Sequence, residues 1–142
     1  MPTRRVWMYS PHSGGKKVPE HVRQSTARRI EAFAVEHFAC RYRELAIRFR
    51  GQFCYVDAFV DPDPLPADWT GPGDETAEEH QARLRDTQVH LCRLRFNGDP
   101  DRWTFAFYSY ASGSYEPSRL FSGLDHGTPE EAFDLSAGAY LT

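Results

Sequence analysis

Alternation of apolar and polar residues is clearest over residues 43–60, a stretch that predicts a β-hairpin. Gly51-Gln52 fits the two-residue connection of a type II′ turn, because glycine takes a positive φ without strain. With the turn there, Arg50 lies opposite Phe53 and Arg48 opposite Tyr55. One face of the hairpin is then apolar and carries Leu45, Ile47, Phe49, Cys54, Val56, Ala58 and Val60. The other face carries Arg48, Arg50, Phe53, Tyr55, Asp57 and Phe59.

The same alternation predicts a second hairpin, with strands over residues 89–97 and 102–111. Gly98, Asp99 and Pro100 between them are typical turn residues. Its apolar face carries Cys92, Leu94, Phe96, Trp103, Phe105 and Phe107. Its other face carries Arg93, Arg95, Tyr108 and Tyr110. Shorter strands are predicted at residues 6–9 and near residues 119–122.

Three helices are predicted. Apolar residues at spacings of three and four indicate an amphipathic helix over residues 19–40, with Pro19 in its first turn. Thr76 followed by Glu79 is a capping-box pattern that opens a short helix ending near residue 86. Thr128, Pro129 and Glu131 predict a third helix that runs to the C-terminus. Residues 62–88 contain this short helix within a proline- and glycine-rich excursion that cannot continue a sheet.

The order of these elements predicts an α+β two-layer sandwich. We expect an antiparallel sheet of four to five strands, built from two hairpins, with the long N-terminal helix and the C-terminal helix packed on one face. A chain of 142 residues suits a single domain spanning residues 1–142, with residues 62–88 as its excursion.

The number and spacing of the cysteines indicate the cellular compartment in which the protein folds. Cys40, Cys54 and Cys92 are odd in number and lack the spacing of metal ligands, which favours a reducing compartment. No apolar run resembles a signal peptide or approaches the length of a membrane span. We therefore expect a cytoplasmic protein that does not contact membranes.

Charge is divided unevenly along the chain, although the net charge is only −3. Residues 1–50 contain 11 Lys and Arg against 4 Asp and Glu, whereas residues 51–142 contain 6 against 16. A split of this kind is typical of a basic binding surface beside an acidic flank, or of two halves that attract each other.

The polar side of the sheet is the first candidate site. Arginines interleaved with aromatic rings are the groups with which a sheet binds single-stranded nucleic acid, because rings stack on bases and guanidinium groups bind phosphate. The structural alternative is that arginine and tyrosine pair with each other across the strands, and that the proline-rich loop or a second subunit covers the rest of the face. The predicted ligand-binding residues are Arg48, Arg50, Tyr55, Asp57, Arg93, Arg95, Tyr108 and Tyr110.

A second candidate is the loop before the first helix, formed by Gly14, Gly15, Lys16 and Lys17. Glycines let backbone N–H groups converge, and a helix N-terminus attracts anions. The loop is not a P-loop, because that motif requires Ser or Thr at the position of Lys17. The alternative is a basic entry loop without a ligand.

Catalytic and metal chemistry have weaker support. His90 and Cys92 are two residues apart on a predicted strand and would share a face, with Cys54 on the neighbouring hairpin, but both cysteines alternate with core residues. Asp57 could act as a general base beside Tyr55, Arg48 or Arg95, although flanking arginines suit an orienting role better. The structural alternative is a cross-sheet ion pair that keeps the arginines in place. We find no complete catalytic set and expect neither a metal nor a cofactor.

Three functional hypotheses follow. The leading one is a non-enzymatic binding module that holds an anionic partner, such as nucleic acid, on the Arg/Tyr face. The pI near 6.1 is unlike that of most nucleic-acid-binding domains. The second is an interaction or regulatory protein that uses the aromatic face as a homodimer or partner interface. The third is a small enzyme acting on a phosphorylated or carboxylated substrate.

Overall fold

The computed structural model describes residues 14–141, and the strand predicted at residues 6–9 lies outside them. The helices are α1 (Glu20–His37), α2 (Ala77–Asp86) and α3 (Pro129–Tyr140). The strands are β1 (Glu44–Arg50), β2 (Phe53–Phe59), β3 (Val89–Phe96), β4 (Trp103–Ser109), β5 (Ser114–Pro117) and β6 (His126–Gly127). An antiparallel sheet carries α1 and α3 on one face, which confirms the predicted α+β two-layer fold.

The strands form a meander in which β1 to β5 follow one another in chain order, and both β5 and the short β6 pair with β4. The strand predicted near residues 119–122 is wrong. The amide of Leu120 donates to the carbonyl of Leu124 at 2.8 Å, and that of Gly123 donates to the carbonyl of Leu120. Because a local turn satisfies these backbone groups, the segment needs no strand partner, and the edge strand forms earlier, at β5.

The first hairpin has the predicted register. Arg50 lies opposite Phe53, Arg48 opposite Tyr55 and Ala46 opposite Asp57. Gly51 has a φ of +59°, a region that favours glycine, and its carbonyl accepts a hydrogen bond from the amide of Val18 at 3.0 Å. The turn therefore also fixes the chain that leads into α1.

A β-bulge changes the alternation in β3. Val56 lies opposite Cys92, but the next residue, Asp57, lies opposite His90, so Leu91 is the extra residue. Leu91 and Cys92 are both fully buried in the core, whereas His90 lies on the other side of the sheet beside Asp57. The prediction that His90 and Cys92 share a face is therefore wrong, because it assumed an uninterrupted alternation.

The core lies between the sheet and the two longer helices. α1 buries Val22, Thr26, Ile30 and Ala34, one residue per turn. Phe133 of α3 packs edge-to-face against aromatic rings of α1 and its C-cap at centroid distances of 6.2 and 5.6 Å. The strands contribute the apolar residues that alternation predicted, including the fully buried Cys54, Val56, Cys92, Leu94 and Trp103.

The helix ends follow from local chemistry. The capping box predicted for α3 is present: the Thr128 hydroxyl accepts from the Glu131 amide at 3.2 Å, and the Glu131 carboxylate accepts from the Thr128 amide at 3.0 Å. α1 ends at His37 rather than near residue 40. Cys40 has a φ of +70°, which no helical residue adopts, so the chain has already left the helix there.

The excursion over residues 62–88 forms a small cluster of its own. The Thr76 hydroxyl accepts from the amide of Glu79 at 3.1 Å and begins α2, as predicted. α2 buries none of its residues, and Trp69 stacks on His80 at a centroid distance of 4.7 Å. None of the helices within residues 14–141 is both long enough and apolar enough to span a lipid bilayer.

Candidate functional site

The sheet face opposite the helices, called the polar face below, brings most of the predicted ligand-binding residues together. Its side chains belong to Arg48, Arg50, Phe53, Tyr55, Asp57, Phe59, His90, Arg93, Arg95, Thr104, Tyr108 and Tyr115. Tyr110 lies just after the end of β4 and contacts the rings of Tyr108 and Tyr140. The predicted division of the two hairpins into an apolar and a polar side is thus confirmed.

Asp57 is the most unusual residue of this face because it is completely inaccessible to solvent. Its Oδ1 lies 2.9 Å from Nδ1 of His90, and its Oδ2 accepts a hydrogen bond from Arg48 at 3.3 Å. These partners come from both neighbouring strands, β3 and β1. The sequence placed Asp57 on the exposed side, but the side chains around it exclude water.

The buried carboxylate of Asp57 depends on its two side-chain partners, and it holds both of them in place. Removing a carboxylate from water costs several kcal/mol unless its oxygens are paired, and an apolar residue would fill the same space without that cost. Here both oxygens are paired, and the two partners remain at the surface, with 57% of the Arg48 side chain and 32% of the His90 side chain exposed. Asp57 therefore holds two accessible nitrogen-bearing side chains in fixed positions.

The contact with Asp57 also determines which ring nitrogen of His90 carries hydrogen. An ionised carboxylate can only accept hydrogen bonds, so the Nδ1 of His90 must donate. In the neutral imidazole the Nε2 is then an acceptor, and it has no hydrogen-bond partner within residues 14–141. The backbone amide of His90 donates to the hydroxyl of Tyr110 at 2.8 Å, which fixes the strand at this point.

Aromatic rings surround this arrangement. Tyr108 stacks on the His90 ring at a centroid distance of 4.6 Å, and Tyr115 packs edge-to-face on Tyr108 at 5.1 Å. Burial raises the pKa of the Tyr115 hydroxyl, and the negative charge of Asp57 raises it further. Burial also raises the pKa of Tyr110. These phenols therefore stay protonated at neutral pH. We call Arg48, Asp57, His90, Tyr108 and Tyr115 the Asp57 site.

The four arginines of the polar face differ in what they can offer a ligand. Arg93 and Arg95 are only 8% and 7% exposed, and burial lowers the pKa of both. The guanidinium of Arg93 lies over the rings of Phe53 and Tyr115, at 4.4 and 5.3 Å from their centroids. The structural alternative of arginine paired with aromatic rings thus describes Arg93. Arg48 and Arg50 are exposed, and Arg48 lies 5.2 Å from the centroid of Tyr55.

The glycine-lysine loop is docked against the ends of the hairpins. The Lys16 amide donates to the carbonyl of Phe96 at 2.8 Å. A Cβ on Gly15 would lie 2.6 Å from the same carbonyl and 2.8 Å from Cγ of Arg95, so glycine is required for the close approach. A cleft of about 320 Å³ is lined by Gly14, Gly15, Lys17, Gly51 and Gln52. The backbone of the loop thus packs against the ends of the hairpins, and its role in anion binding stays a prediction.

The cysteines of the sheet are core residues. Cys54 and Cys92 are fully buried, and burial raises the pKa of the Cys92 thiol to about 12 and that of Cys54 well above its ordinary value. Within residues 14–141 no group of three or more His, Cys, Asp or Glu side chains is placed to hold a metal ion.

Sequence reasoning missed two members of the Asp57 site. His90 was assigned to the apolar side because the bulge at Leu91 was not foreseen, and a bulge leaves no clear signal in a single sequence. Tyr115 was missed because the edge strand was expected a few residues later. Ser114-Tyr115-Glu116-Pro117 follows Gly113 directly, and its proline is typical of an edge strand, so this segment is the signal that could have located it.

Comparison with protein-family models, with curated proteins and with solved structures finds no match to this chain.

Proposed function

We propose that this protein is a binding module that holds an anionic ligand at the Asp57 site, with single-stranded nucleic acid as the ligand class. One observation carries the proposal: a fully buried carboxylate fixes Arg48, whose side chain is 57% exposed, and His90, whose side chain is 32% exposed. Side chains held in place before binding lose less conformational entropy when the ligand arrives. Such an arrangement favours recognition over a purely structural role.

The neighbouring groups suit a nucleic-acid strand. Arg48 uses one of its five N–H groups for Asp57, and the others are available for phosphate oxygens. Arg50 provides a second exposed guanidinium two residues along the same strand edge. Tyr110, which is 55% exposed beside His90, offers a ring on which a base can stack. Arg93 and Arg95 lie on the same face, and their buried positive charges add to the electrostatic potential of this surface.

The experiment is a fluorescence anisotropy titration with a labelled oligouridylate at low and at moderate salt. We expect binding that weakens steeply with salt, because phosphate contacts release counterions. Arg48→Gln should weaken binding by about tenfold, or ~1.4 kcal/mol, and reduce the salt slope by about one. Arg119→Gln is a matched control, because Arg119 is exposed but bonds to the carbonyl of Gly123, away from the Asp57 site. Absence of binding at low salt would rule the proposal out.

An interface on the same face is the second candidate, favoured by the exposure of Tyr110. Tyrosine and arginine are enriched in the centres of protein interfaces. Light scattering should then give a dimeric mass that Tyr110→Glu converts to a monomeric one, whereas a monomeric wild-type protein excludes the homodimer.

A cytoplasmic location stays a prediction from the cysteines.

A further inference from the structure

We propose that the Asp57 site cleaves the RNA that it binds, with His90 as the general base and the ribose 2′-hydroxyl of the substrate as the nucleophile. The inference rests on the proposed function, because the strand must first be held at this site. It extends that function from binding to chemistry and limits the substrate class to RNA.

The first argument is the state of His90. Its Nδ1 donates to Asp57 at 2.9 Å, so the neutral ring presents the lone pair of Nε2. A third of the side chain is exposed, and Nε2 is not engaged by any residue in the range 14–141. Tyr108 stacks on the ring and limits its rotation. A partly exposed histidine whose ring is oriented by a buried carboxylate is the arrangement of a general base.

The second argument is the position of Arg48. One carboxylate binds both side chains, His90 through Oδ1 and Arg48 through Oδ2. Base and cation are therefore neighbours whose separation is set by a group that cannot move into solvent. When a hydroxyl attacks a phosphodiester, negative charge develops on the non-bridging oxygens, and a guanidinium beside them stabilises it.

The third argument concerns the nucleophile. Within residues 14–141 the imidazole of His90 bonds only to Asp57, so no serine, threonine or cysteine in this range is bonded to it. The adjacent hydroxyls are phenols, and burial raises the pKa of both Tyr110 and Tyr115, which keeps phenolate scarce. The attacking group must then come with the substrate. RNA carries it as the 2′-hydroxyl next to each phosphate.

The reaction balances without a further reagent. Nε2 of His90 takes the proton of the 2′-hydroxyl while the 2′-oxygen forms a bond to phosphorus. The bond from phosphorus to the 5′-oxygen breaks, and that oxygen takes a proton from water. The resulting hydroxide removes the proton from the imidazolium. The products are a 2′,3′-cyclic phosphate and a strand with a free 5′-hydroxyl.

The test compares a labelled oligouridylate with the matched oligodeoxyuridylate, which lacks only the 2′-hydroxyl, in buffer containing EDTA. We expect the protein to bind both strands and to cleave only the ribose strand, leaving a 2′,3′-cyclic phosphate end. His90→Gln should lower the cleavage rate at saturating protein by about 100-fold or more, with a much smaller change in Kd. His126→Gln is the matched control, since His126 also pairs with an aspartate at 2.9 Å.

Asp57 is a positioning residue, so its variant needs a readout beyond the rate. In Asp57→Asn the amide no longer demands a donor at Nδ1. We expect the cleavage rate at saturating protein to fall with a much smaller change in Kd, and the NMR signals of the His90 ring nitrogens to lose the preference for hydrogen on Nδ1. If Asp57→Asn fails to fold, His90→Gln decides the matter. Cleavage that is equal in wild type and His90→Gln overturns the inference, as does a bound but intact ribose strand, which leaves the proposed function standing. A strand that does not bind overturns both.

Discussion

Two histidine-aspartate pairs in this protein have the same nitrogen–oxygen distance, but one aspartate is buried and the other is exposed. His90 pairs with Asp57, and His126 pairs with Asp125, both at 2.9 Å between Nδ1 and Oδ1. Asp57 is fully buried and lies 33 residues away in the chain, whereas Asp125 is 60% exposed and is the adjacent residue. The distance alone therefore does not distinguish a fixed pair from a solvated one. The burial of the carboxylate does.

The two pairs differ in whether water can reach the carboxylate and compete for its hydrogen bonds. At an exposed pair, water competes for every hydrogen bond, and the interaction contributes little. At Asp57 no water reaches the carboxylate, so its oxygens depend on Arg48 and His90. One buried charge thus holds two surface side chains in place, and the solvated Asp125 pair is the internal reference for this effect.

The largest expected effect is on stability. Asp57→Ala removes two charge-assisted hydrogen bonds and leaves a space on the sheet, and we expect it to lower the free energy of unfolding by about 2 kcal/mol. Asp125→Ala should change it by no more than about 0.5 kcal/mol, because the side chain is solvated. Urea unfolding of both variants measures the difference. Equal losses would mean that burial does not distinguish the pairs.

The next effect isolates the histidine-aspartate interaction itself. In a double-mutant cycle, His90→Gln combined with Asp57→Ala should give a coupling energy of about 1 kcal/mol or more. The corresponding cycle for His126 and Asp125 should give about 0.3 kcal/mol. Urea unfolding of the single and double variants supplies both values. A coupling energy at His90 as small as that at His126 would remove the basis for a fixed imidazole.

A smaller effect is expected at Tyr115. Burial first, and then the charge of Asp57, raise the pKa of its hydroxyl above 10.0. The folded state thus favours the neutral phenol, so this contribution to stability is complete below that pH and is lost as the pH rises through the raised value. Asp57→Asn should lower the pKa of Tyr115, and Asp125→Asn should leave it unchanged. Phenolate absorbance during an alkaline titration reports both.

The smallest effect concerns a third pair, His80 with Glu75, which lies in the excursion with 19% of the Glu75 side chain exposed. A hydrogen bond from Arg83, followed by one from His80, lowers the pKa of Glu75. This contribution is present above the ordinary value of 4.5 and is lost as the pH falls through the lowered one. We expect Glu75→Gln to shift the indole NMR signal of Trp69, which stacks on His80, with little change in global unfolding.

Much of the fold could be predicted from the sequence because the signals are local. Alternation of apolar and polar residues determined the register around Gly51, and the Thr128-Pro129-Glu131 pattern located the start of α3. Such features depend on neighbours within a few residues. They hold because local preference and the tertiary structure agree here.

The candidate site could be predicted only in part. The alternation of residues along the strands correctly predicted that Arg48, Tyr55 and Asp57 share one side of the sheet. It did not predict how deeply each side chain is buried or what it contacts. Burial of Asp57, the contacts of Arg93 with two aromatic rings and the position of His90 depend on strands that are distant in sequence. One extra residue in β3 reversed the side on which His90 lies, and a hydrophobic pattern does not record such a bulge.

The most direct test of the account is a long-range proton-nitrogen NMR spectrum of the histidine rings, recorded while an oligouridylate is added. We expect His90 in the tautomer with hydrogen on Nδ1, and a shift of its Nε2 signal on binding, while the signals of His126 stay unchanged. If His90 carries its hydrogen on Nε2, or if both histidines respond alike, Asp57 does not fix a ligand-binding imidazole and the central claim is contradicted.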